Sequence, residues 1–83
     1  MPYTLTQQLQ SLGVATELGA EISRQIGNAT GNVNRLQEVG MPTQSAKLLA
    51  DSITAKSLDT NKITRLGVIP AVAKVLQTAI AAS

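Results

Sequence analysis

The sequence predicts an all-α chain built as three tandem helix-turn-helix repeats of 27 residues in a small array. Three observations lead there. Leu9, Leu36 and Ile63 are each 27 residues apart, and so are Gly13, Gly40 and Gly67. The same frame aligns Leu12/Val39/Leu66, Val14/Met41/Val68, Ile22/Leu49/Leu76 and Ile26/Ile53/Ile80 with no insertion. Self-similarity at one fixed period is the sequence signature of a repeat architecture. After each glycine, aliphatic residues then fall four apart. Leu18, Ile22 and Ile26 form one helical stripe, Val72, Leu76 and Ile80 another, and Ser45, Leu49 and Ile53 a weaker third. A column of small residues, Gly19, Ala46 and Ala73, lies one step along and lets a neighbouring helix come close. The whole chain, 1–83, reads as a single domain with units at about 5–31, 32–58 and 59–83.

Each element follows from local signals. Thr4 is suited to cap a first helix, Leu5 to Leu12, which Gly13 stops. A glycine at that point takes the left-handed conformation, and the aliphatic residue after it folds back on the last turn. The second helix starts near Thr16 and runs to about Ile26. Two glycines and an asparagine between positions 27 and 31 then mark a linker. Asn32 caps a third helix, Val33 to Val39, ended by Gly40. Pro42 belongs to the first turn of a fourth, which runs from Thr43 to about Ile53. The connection at 54–58 has no glycine, and both frayed helix and a short extended piece fit it. Asp59 caps a fifth helix, Thr60 to Leu66, ended by Gly67. Ile63, Thr64, Val68 and Ile69 also suit a strand, but the shared Leu-Gly-Val register favours helix. Pro70 opens the last helix, whose apolar end has nothing after it to cover it. The array is therefore expected as a miniature solenoid or opened array, with a partner at its uncapped terminal unit.

Composition narrows the function. Eighty-three residues without cysteine or histidine offer no disulfide, no thiolate and no imidazole, and so neither the usual zinc ligands nor a neutral-pH base. The core must be aliphatic, since Phe and Trp are absent and Tyr3 is the one aromatic residue. A small chain lacking such staples often gains stability by assembling with itself or a partner. The longest apolar run is too short to span a bilayer, and the N-terminus lacks a basic region followed by an apolar signal core. No membrane partner is expected, and the chain reads as soluble and made in the cytosol.

The charged residues point to no chemistry. Glu17 and Glu21, one helical turn apart, could in principle act as acid and base. They read better as an exposed face near a helix N-terminus, where the dipole favours negative charge. No serine, threonine or lysine has an activating partner. The chain is expected to be no enzyme and to hold no cofactor and no metal. The segment 27–31 lacks the Gly-Lys-Ser/Thr ending and the preceding strand of a phosphate loop. Arg35, Lys62 and Arg65 on the short helices, with Lys47 and Lys74 on the long ones, form a basic stripe. The first unit breaks it with Gln8, Ser11 and Ala20, and aromatic platforms for single strands are missing. A small nucleic-acid-binding regulator using a helix-turn-helix pair is the alternative function.

The string Asn34-Arg35-Leu36-Gln37-Glu38-Val39-Gly40-Met41-Pro42, followed by Ala46 and Ala50, resembles a motif of small virion proteins of tailed bacteriophages. There Arg-Leu, two residues and Leu-Gly-Met or Leu-Gly-Val lead into Pro and a helix rich in Leu, Ala and Ile. Arg65-Leu66-Gly67-Val68 and Leu12-Gly13-Val14 are its other instances here. Ubiquitin-associated domains use a similar turn, but with an aromatic residue after the glycine, which none of these three glycines has. The phage resemblance implies a non-enzymatic structural protein of the particle: a head decoration or cement protein, or the base of a head fibre or spike. It would bind capsid or fibre proteins of the virion, as a homo-oligomer or in multiple copies, and be located in the virion after synthesis in the host cytoplasm. The side chains expected at interfaces are Tyr3, Leu36, Met41, Leu58, Val68, Ile69 and Ile80.

Overall fold

A computed structural model describes residues 4–83. They form six helices: α1 (Leu5–Ser11), α2 (Thr16–Asn28), α3 (Val33–Glu38), α4 (Thr43–Ala55), α5 (Thr60–Arg65) and α6 (Pro70–Ala82). No strand occurs among the described residues, which removes the β alternative for 54–69.

Short helices alternate with long ones because the same two local devices recur. The starts of α1, α3 and α5 are capped by side chains that satisfy otherwise orphaned N–H groups. Thr4 Oγ1 accepts from Gln7 N at 3.2 Å and Gln7 Oε1 accepts from Thr4 N at 3.0 Å, a reciprocal capping box. Asn32 Oδ1 accepts from Arg35 N at 3.1 Å, and Asp59 Oδ1 from Asn61 N at 2.9 Å. The ends of the short helices close in one way. Gly13, Gly40 and Gly67 hold φ at +99°, +101° and +106°, a region that disfavours any side chain. Val14, Met41 and Val68 then donate back to the carbonyls of Leu9, Leu36 and Ile63 at 3.0, 3.0 and 3.4 Å. This is the six-to-one bond of a Schellman motif.

Two of the long helices, α2 and α4, close alike, though not through glycine. Ala29 and Lys56 carry the left-handed backbone, at φ 54° and 59°. Thr30 N and Ser57 N return to the carbonyls of Gln25 and Ser52 at 3.2 and 3.1 Å. The segment 27–31 is thus not the loose linker its glycines suggest. Gly27 and Asn28 belong to α2, and the turn falls on Ala29. Pro42 lies just outside α4 as its N-cap, whereas Pro70 is the first residue of α6.

Each helix packs on the next, and α6 packs on α1, so the order closes into a ring. The sequence predicts a miniature solenoid or an opened array, with the end of α6 uncovered. Instead α1 lies beside it, and Ile80 is fully buried. One aliphatic core fills the ring, and it contains the columns Leu9/Leu36/Ile63, Ile22/Leu49/Leu76 and Ile26/Ile53/Ile80. The small column is buried as well, with Gly19 seated against Leu9 and Thr6. The molecule measures 33 × 23 × 22 Å.

The joint between α2 and α3 is polar. Gln25, 1% exposed, donates from Nε2 to the Asn32 carbonyl at 3.2 Å and accepts at Oε1 from Asn32 N at 2.9 Å. Its amide thus pairs with backbone on both sides, and Nε2 also reaches Glu21 Oε2 at 2.9 Å. Glu21 is fixed in turn by the Arg24 guanidinium, the one ion pair among the described residues. The Arg24 hydrogen bond holds the Glu21 carboxyl below its ordinary pKa, with partial burial opposing and the Gln25 amide assisting. A lowered pKa stabilises the fold above the unfolded carboxylate range and ceases to do so as pH falls through the folded value. Glu21→Gln is accordingly expected to be less stable than wild type at neutral pH, the gap closing on acidification below about pH 4. Urea unfolding at a series of pH values checks this, and a gap independent of pH would refute it.

Candidate interaction face

Residues of the three glycine turns meet around one hollow. The aliphatic residue after each glycine, Val14, Met41 and Val68, turns inward there to line one hollow of about 390 Å³. Its walls are completed by Leu12, Leu18, Ile69 and the inner faces of α2 and α6, and no charged side chain lines it. The sequence explains that neutrality. The three turns lie in charge-free segments, 12–16, 39–46 and 66–73, although 14% of the chain is charged. Met41 is buried at the bottom, while Val14 and Val68 are half-buried.

The face also projects. Ile69, 51% exposed, and Leu66, 36% exposed, are the large hydrophobic side chains that stand out among the described residues. Both flank Gly67 and Val68, so the most protruding aliphatic group stands on the rim of the hollow. Ile69 is the N-cap of α6, with extended backbone at φ −64° and ψ 146°, and its aliphatic side chain makes no capping hydrogen bond there.

A second apolar groove, about 480 Å³, runs along the contact between α1 and α6. Leu5, Leu12, Val75, Ala79 and Ala82 line it, with Lys74 at its edge. A smaller polar cleft between α5 and α6 is lined by Thr60, Asn61, Thr64, Pro70, Lys74 and Gln77.

The residues singled out in the sequence divide into three groups. Met41, Val68 and Ile69 come together at the turn face. Leu36, Leu58 and Ile80 do not reach any surface. Their side chains are buried in the chain's own core, so as interface residues they are corrected to core residues. Tyr3 lies outside the described residues. Leu12, Val14 and Leu18 also line the hollow and are not among the residues expected at interfaces. The 27-residue frame held the signal for Val14, the counterpart of Met41 and Val68.

Among the described residues no cluster of three acidic, histidine or cysteine side chains could hold a metal ion. No helix among them is long and apolar enough to cross a membrane. Arg35, Lys47, Lys62, Arg65 and Lys74 are all exposed and are distributed over four helices, α3 to α6. No protein-family model matches the chain, and no curated protein or solved structure matches it significantly.

Proposed function

We propose that the chain is three tandem 27-residue repeats closed into a ring, and that it serves as a non-enzymatic structural protein of a tailed-phage particle. It binds capsid or fibre subunits there as a decoration or cement protein, or as the base of a fibre. The repeat reading is supported by spacing: the three positive-φ glycines, the three buried aliphatic columns and the left-handed Ala29 and Lys56 all follow the 27-residue interval.

The observation that carries the function is where the resemblance falls. Val14, Met41 and Val68, the residues after the three glycines of the motif likened to phage virion proteins, line the uncharged hollow together. An apolar face with a protruding aliphatic rim suits permanent burial against another protein surface, where charged residues are depleted at the centre. It gives a mobile charged ligand nothing to recognise.

Mass spectrometry of gradient-purified tailed-phage particles encoded by the same genome tests the reading. The chain is expected in a fixed number of copies per particle, retained through washing at high salt, because apolar contacts are not screened by ions. A chain found in the soluble lysate and missing from the particles would overturn it.

A further inference from the structure

We propose that two copies of this chain associate through the turn face, with Ile69 of each seated in the hollow of the other. A knob stands beside a hole on this face. Ile69 is the most exposed large aliphatic side chain among the described residues, and it stands on the rim of the hollow lined by Val14, Met41 and Val68. A surface that carries its own complement next to it is satisfied by a twofold axis, which places each knob in the partner's hole in one step. Because Ile69 also lines its own hollow, such seating brings the two Ile69 side chains close to the axis.

Charge favours the same face. Each chain carries a formal charge of +2, so two copies repel weakly at long range. At the turn face no ionised group lines the hollow, hence none loses its water when the surfaces meet. Size sets the strength. A standard interface takes about 800 Å² from each partner, roughly one sixth of this chain's 4932 Å² surface. The residues lining the hollow are fewer than the roughly 20–30 that each side of a standard interface supplies, so weak association is expected. It forms where the local concentration is high. The proposal holds independently of the particle reading above.

Sedimentation equilibrium of the full chain, from micromolar concentrations to about 1 mM, provides the test. The mass of the wild type is expected to rise from 8.6 kDa towards twice that value. Ile69→Asp is expected to weaken association about tenfold or more, because it removes the knob and places a carboxylate in an apolar seat. This variant should not lose its fold, since position 69 is an N-cap, where aspartate is among the preferred residues. Circular dichroism and the thermal midpoint verify that.

A second arm uses the absence of cysteine from the sequence. Under mild oxidation Ile69→Cys should form disulfide-linked pairs faster than Ala81→Cys, placed on the exposed far end of α6. The proposal is overturned by a wild type that stays monomeric throughout, by trimers or larger species, by Ile69→Asp associating as strongly as wild type, or by equal cross-linking rates.

Discussion

Replacing Leu36 by alanine is expected to lower the unfolding free energy by about 2–5 kcal/mol, the range for emptying a buried leucine site. The loss is large for this molecule. At 0.05–0.15 kcal/mol per residue, a chain of this size holds roughly 4–12 kcal/mol in total. Leu36 is fully buried, and its carbonyl accepts the closing bond from Met41 N at 3.0 Å. Truncation therefore opens a cavity where the α3 turn is fastened to the core, with little room for collapse in so small a ring. Urea unfolding of the isolated chain measures the effect. If Leu36 were instead an interface side chain, the isolated variant would fall within about 0.5 kcal/mol of wild type, and that result would refute the core assignment.

Gly31→Ala should also be damaging, despite adding one methyl group. A Cβ at position 31 would lie 1.9 Å from the carbonyl oxygen of Ala50, 2.4 Å from its carbonyl carbon and 2.6 Å from its Cα. All three are backbone atoms of α4, so no side chain can rotate away. The start of α3 would have to lift off α4, stretching the 3.0 Å bond from Gly31 N to Thr54 Oγ1 and the Gln25 pairing with Asn32 next door. A loss of about 1–3 kcal/mol or more follows for forced overpacking, outweighing the ~0.4–1 kcal/mol that alanine gains by restricting the unfolded chain.

Gly27→Ala is the matched control. Position 27 is helical and a Cβ there meets nothing within 4 Å, so alanine should stabilise by about 0.5–1 kcal/mol. Two glycines four residues apart are thus expected to respond with opposite sign in thermal unfolding. A Gly31→Ala variant as stable as wild type would remove the close approach as a feature of the fold.

The same pair shows why part of the structure was legible and part was not. Both glycines sit in one short stretch that reads as a linker. Nothing local distinguishes a glycine inside a helix from one pressed against a helix 19 residues further on. Likewise Leu36, Leu58 and Ile80 have the composition of interface residues, and only the closed ring consigns them to the interior. Gln25 reads as one more polar residue on a helix, and its burial depends on the backbone of Asn32 arriving beside it.

The sequence by itself determined the six helices, their starts at Thr4, Asn32 and Asp59, and the three glycine closures. Those are set within four or five residues, by side-chain caps and by a backbone region that only glycine enters freely. It also determined which helix faces are aliphatic, because a 3.6-residue period needs no knowledge of the neighbour. Tertiary structure alone decided that α6 returns to α1, that Ala29 and Lys56 take a left-handed backbone, and that the three turns meet around one hollow. Which helices meet, and which residue takes up each turn, depends on how the whole chain packs, and no short stretch of the sequence states it.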